Sequence, residues 1–161
     1  LLTFLILTAC RSGEARGATW AEIDLDAAVW TIGKERMKAD REHTVPLAPA
    51  VVALLRGQQG LHGELVFPSV RGLLASDMTL TAFLRRQQAH SDTAGRVATA
   101  HGFRSSFRDW AAENGHERDL AEYALAHSVG TQTERAYQRS KLLEQRRPMM
   151  EAWASFVTGL V

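Results

Sequence analysis

The sequence predicts a mainly α-helical chain with one small antiparallel β-sheet, an α+β domain. Three observations carry this. Apolar residues recur three and four positions apart in several separate stretches, the period of an amphipathic helix. Two runs, Ala28-Val-Trp-Thr-Ile32 and His43-Thr-Val-Pro-Leu47, are instead β-branched and aromatic, and they flank the polar stretch 33–42. The chain has 161 residues, 45% hydrophobic and 23% charged, which fits one globular domain and excludes a disordered, collagenous or coiled-coil chain.

Taken in order, residues 1–9 read as the end of an apolar helix, and 12–17 as a short helical turn. The two β-type runs make a hairpin with a long charged tip. Pro49 stands where a helix begins, and 50–58 carries apolar residues at 51, 54 and 55. Leu65-Val-Phe67 reads as a short edge strand stopped by Pro68. Ser76 and Asp77 can cap a helix running to residue 89, with Met78, Leu80, Phe83 and Leu84 on its apolar side. A loop is expected over 91–99, then a helix over 100–113 that ends at Asn114-Gly115, a helix-stop signal. A further helix over 117–126 places Leu120, Tyr123 and Ala124 on one face. A short helix around 131–138 and a last one near 143–158 complete the chain, and Pro148 is expected to delay the last helix or kink it. No internal repeat or low-complexity segment interrupts this order.

Composition narrows the chemistry. Cys10 is the only cysteine, so no disulfide closes within the chain, and no Cys/His cluster has zinc-finger spacing. Nineteen Lys and Arg against eighteen Asp and Glu give a net charge of +1, not the broad basic footprint of many nucleic-acid binders. All the cations except Lys34, Lys38 and Lys141 are arginines. Arginine suits forked contacts to phosphate or carboxylate, although a GC-rich genome produces the same bias. The apolar run at the start is too short to span a bilayer and lacks the basic region of a signal peptide. Leu-Thr-Ala-Cys10 resembles a lipoprotein cleavage box, but Arg11-Ser-Gly-Glu14 finds a better use below. The chain opens without Met inside an apparent helix, so it is expected to be a piece of a longer protein.

Several polar residues have an ordinary explanation singly and a different one together. His101 and Arg104 stand at i and i+3, on one face of a helix. His127 lies 23 residues after Arg104, and Tyr137 ten after His127. Arg11 is followed at i+3 by Glu14, a carboxylate able to fix a guanidinium. Two Arg, two His, a hairpin Lys and a Tyr suffice for phosphoryl transfer without a metal. Guanidiniums neutralise the non-bridging oxygens of a five-coordinate phosphorane, and imidazoles donate hydrogen bonds to it. A tyrosine hydroxyl can attack phosphorus and a lysine can protonate the departing oxygen. Of the two tyrosines, Tyr123 shares an apolar stripe and is expected in the core. Tyr137 is flanked by Arg135, Gln138 and Arg139 and is the candidate nucleophile.

The segments Thr8-Ala-Cys-Arg11-Ser-Gly-Glu14, Arg36-Met-Lys38, His43-Thr-Val-Pro-Leu47, His101-Gly-Phe-Arg104, Leu125-Ala-His127 and Ala136-Tyr-Gln-Arg139 together resemble the catalytic domain of tyrosine recombinases, the phage integrases. The tail Gln145-Arg-Arg-Pro-Met-Met-Glu-Ala-Trp153 is similar to the ending of integrases from satellite prophages and genomic islands. The resemblance covers essentially the whole chain and implies the DNA breaking-rejoining fold as a single catalytic domain over 1–161, with 142–161 a C-terminal helix or tail. It implies that Arg11 and Arg104 clamp the scissile phosphate, that His101 and His127 donate to it, and that Tyr137 forms a 3′-phosphotyrosyl bond. Lys38 is the implied general acid, with Lys34 the competing assignment. Gln138 stands where the family often has Asn. The implied partners are double-stranded DNA at attachment sites, further copies of the chain as a tetramer, and accessory DNA-bending proteins. No cofactor, metal or membrane is implied, and the implied location is the bacterial cytoplasm. The family's DNA-clamping amino-terminal domain is not among these residues. The apolar residues Leu142, Leu143, Met149, Met150, Trp153 and Phe156 are expected to pack on a neighbouring protomer or to fold back on their own domain. A type IB topoisomerase and a non-catalytic DNA-binding relic are the alternative functions.

Overall fold

A computed structural model describes residues 1–127 and 139–159. The chain begins with helix α1 (Leu2–Thr8) and a five-residue helix α2 (Ser12–Arg16). A three-stranded antiparallel sheet follows, ordered β1 (Ile23–Asp24), β2 (Val29–Ile32), β3 (His43–Pro46). Helices α3 (Pro49–Arg56), α4 (Met78–Arg86), α5 (Gly102–Glu113), α6 (Arg118–Ala124) and α7 (Arg139–Thr158) complete it. None of the described helices is long and apolar enough to cross a membrane.

The predicted hairpin forms in the register Val29↔Pro46, Trp30↔Val45, Thr31↔Thr44 and Ile32↔His43. Trp30, Ile32 and Val45 point into the core, while a short 3-10 turn, Lys34–Arg36, begins the polar tip. Pro46 is tolerated because β3 is an edge strand and a proline has no N–H for the ladder. Strand β1 was not expected, because its two residues are too few to show alternation. It is built by Asp24, whose Oδ1 accepts from the N–H groups of Asp26 (3.0 Å) and Ala27 (2.8 Å) and turns the chain into β2.

Two apolar clusters meet along α1. In one, Phe4 lies against Trp30 and Phe67, with ring centroids 4.9 and 5.0 Å away, and Val51 and Leu55 of α3 close the layer. In the other, Phe107, Trp110 and Ala111 of α5 pack with Ala121, Ala124 and Leu125 and with Met149, Met150 and Trp153 of α7. The Trp153 Nε1–H donates to the Ile6 carbonyl at 2.8 Å, so α7 is fastened to α1. The tail thus folds on its own domain, because its apolar stripe completes a core that α5 and α6 leave open. Among the described large apolar residues of the tail, Phe156 is the mostly exposed one, at 61%.

Other expectations need correction. The 65–67 segment is no sheet strand: Leu65 bridges Thr19, the Val66 N–H donates to Ala18, and Val66 and Phe67 turn into the core. Asp77 does not cap α4 with its side chain, because its carboxylate pairs with Arg16 at 2.5 Å. The last helix starts at Arg139, ahead of the expected 143, and carries Pro148 on an exposed side. Asn114-Gly115 does stop α5, with Gly115 at φ +72° and the His116 N–H closing back on the Ala111 carbonyl at 2.9 Å. Cys10 is a core residue. Burial pushes its thiol up to about 12, against the opposing effect of a hydrogen bond from Thr8.

Candidate active site

The left-handed turn at Ala9 (φ 51°) ends α1 and delivers Arg11 to the start of α2. Glu14, in the first turn of α2, reaches back with both oxygens. Oε2 accepts the Arg11 backbone N–H at 2.7 Å and Oε1 accepts from Arg11 Nη1 at 2.9 Å. The Glu14 side chain is 4% exposed and that of Arg11 28%, so a buried carboxylate holds a guanidinium that still meets solvent. This is the i, i+3 support expected from the sequence.

Arg104 comes to the same place from α5 and is itself buried. Its Nη1 donates to the Ala9 carbonyl at 2.5 Å and its Nη2 to the Leu125 carbonyl at 2.6 Å. These two acceptors lie at the ends of α1 and α6, where helices leave carbonyls unpaired. The fork of one arginine therefore ties three helices together. Arg104 Nη2 also lies 3.2 Å from His127 Nε2, just after α6. No carboxylate forms a salt bridge with Arg104 among the described residues. Burial first, and then repulsion from Arg11, lower its pKa. Desolvation and a like charge both disfavour this cation, so an anion between the two guanidiniums is favoured there.

The hairpin that carries Lys34 and Lys38 is joined to α2. Arg36 pairs with Glu22 and donates through Nη2 to the Glu14 carbonyl at 2.6 Å, which locks the hairpin to α2. Buried Met37 anchors the next residue, leaving Lys38 exposed. Lys34, also exposed, opens the 3-10 turn. His101 lies at the exposed N-terminal end of α5, one turn before Arg104. Tyr137 lies outside the described residues. Tyr123 is not in the core as expected: it is half-buried and lines a cleft with His43, His127 and Arg146.

Three residues near the site had no role assigned from the sequence, although His43 and Arg146 stand in the segments quoted above. Glu122 accepts from His127 Nδ1 at 2.6 Å and pairs with Arg108 Nε at 2.8 Å. Arg146 of α7 is buried and donates to Leu142 (3.1 Å) and Thr44 (2.8 Å), while its Nη1 has no hydrogen-bond partner among the described residues. Burial lowers the Arg146 pKa to about 10. His43 is held neutral by burial and by the Arg146, Arg104 and Arg11 cations, with its pKa pulled down to about 3. The sequence could have marked Glu122 only by its i+5 relation to His127, which is not a helical neighbour spacing. The turn at Ala126 (φ 52°) brings the two together.

Residues 1–143 match the model of the phage integrase family. The chain belongs to that family. It is 40% identical over 161 residues to the prophage integrase IntA of Escherichia coli K12, covering 98% of this chain and 38% of that protein. It is 34% identical to the integrase of Enterobacteria phage P4, covering 94% of this chain and 38% of that protein. The chain thus spans about two-fifths of these relatives' length. The fold is shared with the XerA recombinase, with a TM-score of 0.65 and 19% identity over 88% of this chain and 53% of that one. It is shared too with the XerH recombinase, solved bound to its difH substrate, with a TM-score of 0.61 and 19% identity over 89% of this chain and 45% of that one.

Proposed function

We propose that this chain is the catalytic domain of a site-specific DNA recombinase that cuts and rejoins strands through a tyrosyl intermediate. The observation that carries the reading is Arg104: a buried cation with no salt bridge among the described residues, beside Arg11 and touching His127. Such a site gains most from a bound anion, and a phosphodiester brings two non-bridging oxygens for two guanidiniums. In this reading Arg11 and Arg104 grip the scissile phosphate of double-stranded DNA, and His101 and His127 add hydrogen bonds. The Tyr137 Oη gives up its proton to solvent and bonds to phosphorus as the P–O5′ bond breaks, and Lys38 gives a proton to the departing 5′ oxygen. Lys34 is the competing acid. The 3′-phosphotyrosyl ester conserves the energy for rejoining. Work at attachment sites in the bacterial cytoplasm as a tetramer, with DNA-bending accessory proteins, follows by likeness to the family.

The test is incubation with nicked duplexes carrying candidate attachment sites, in excess chelator, scored on denaturing gels for a covalent protein–DNA band. The reading predicts that band without added metal. A band that needs magnesium, or free cleaved strands with no attached protein, overturns it. Relaxation of supercoiled DNA without joining of two sites would instead indicate a topoisomerase.

A further inference from the structure

Glu122 makes a polar contact of the site that the phosphate clamp leaves unexplained. It lies on α6 with its side chain 13% exposed, while that of His127 is 42% exposed, so the carboxylate sits behind the imidazole and faces inward. The His127 backbone N–H returns to the Glu122 carbonyl at 2.9 Å, which folds the ring over the carboxylate. The other carboxylate oxygen pairs with Arg108 of α5. Burial works against the charge on Glu122. The hydrogen bond from His127 and the Arg108 and Arg118 cations outweigh it and hold its pKa below the usual value.

An ionised carboxylate can only accept, so the 2.6 Å contact places a hydrogen on His127 Nδ1 in both protonation states of the ring. In the neutral ring Nε2 then has a lone pair and accepts from Arg104 Nη2 at 3.2 Å. In the charged ring Nε2 is a donor that faces another donor, and the two are satisfied together only by an oxygen that accepts from both. The neutral ring therefore supports Arg104, and the imidazolium is the form that donates to an anion.

Most other charges around this ring oppose the imidazolium. Arg104 and Arg108 approach from α5, and Arg146 from α7 lines the same cleft. From the hairpin come Arg41, Glu42 and the neutral His43. Glu122 is the carboxylate in contact with the ring among the described residues. We infer that Glu122 is a positioning residue of the strand-transfer site. It fixes the Nδ1–H form of His127, stabilises the imidazolium that donates from Nε2 to the scissile phosphate, and is itself held by Arg108. The donation to phosphate rests on the recombinase reading above; the hold of Glu122 on the ring does not.

The test is Glu122→Gln, whose amide oxygen still accepts from Nδ1–H while the charge is gone. Side-chain nitrogen NMR of the 161-residue chain without DNA reads the tautomer and titration of His127. The expected result is an Nδ1–H neutral ring in the wild type and a titration about 1 pH unit lower in the variant. Covalent attachment to nicked DNA, followed against pH, is expected to lose its high-pH limb about 1 unit earlier in the variant, roughly a tenfold loss above it. In a His127→Ala background Glu122→Gln is expected to add little further loss. Thermal melting shows whether the variant is folded, and Glu122→Asp, which keeps the charge, is expected to restore the wild-type titration. An Nε2–H tautomer, an unmoved titration, or a loss equal at every pH overturns the inference. If the wild type itself forms no covalent band, the recombinase reading falls, and the NMR result alone decides the hold of Glu122 on His127.

Discussion

Replacing Arg104 should unfold the domain at a lower temperature as well as stop catalysis. Its fork makes two charge-assisted hydrogen bonds, at 2.5 Å to Ala9 and 2.6 Å to Leu125, at a position buried from solvent. Each such bond contributes about 1.5–3 kcal/mol, and each buried carbonyl left unpaired costs about 1–3 kcal/mol. Arg104→Ala removes both bonds but also relieves the burial of a cation and its repulsion by Arg11. That relief offsets part of the sum, whose low end is about 5 kcal/mol, and the net loss is expected at about 3 kcal/mol. For a chain of this size that lowers Tm by roughly 6–12 °C. Arg104→Lys keeps the charge, but one ammonium cannot reach two carbonyls on different helices, so about half the loss is expected. Calorimetry or circular dichroism melts of the three proteins should give the order wild type, Lys, Ala. A lysine variant that melts with the wild type, or an alanine variant within about 2 °C of it, would refute the view that Arg104 also ties the helices.

Glu14→Gln should destabilise by about 1–3 kcal/mol, because an amide offers one acceptor where Arg11 presents two donors, and urea melts would show it. His43 makes stability fall in mild acid. Its folded pKa of about 3 lies below the ordinary 6.5, so the neutral ring's contribution is complete above pH 6.5 and is lost as pH falls toward 3. The slope for this half-buried ring is about 1 kcal/mol per pH unit, and His43→Gln should flatten it in urea melts taken at stepped pH. Lys38→Ala should cleave ordinary DNA slowly and a 5′-bridging phosphorothiolate almost normally, since a thiolate leaves without an acid. The same rescue in Lys34→Ala instead would move the acid to Lys34.

The parts of this molecule that follow from local rules were legible in the sequence. The β-branched and aromatic runs 28–32 and 43–47 about a polar stretch announced the hairpin, and Asn114-Gly115 marked the end of α5. Arg11 with Glu14 was readable because i, i+3 is a helical neighbour spacing. What escaped depends on contacts distant in sequence or on turns. Arg104 reaches Ala9, 95 residues away, and nothing local signals that it binds helix ends. Glu122 meets His127 only because the chain reverses at Ala126. The side on which the tail packs depended on how much apolar surface α5 and α6 leave uncovered, which a linear pattern does not contain.

In the proposed reaction a tyrosine of this chain becomes joined to DNA at a site built on Arg11 and Arg104. The most direct measurement is mass spectrometry of the tryptic digest after trapping on a nicked duplex in chelator. A nucleotide adduct is expected on the peptide 136–139, carried by Tyr137 and absent from Tyr137→Phe, which should still bind the duplex. An adduct on any other residue, or one that survives Tyr137→Phe, would contradict it.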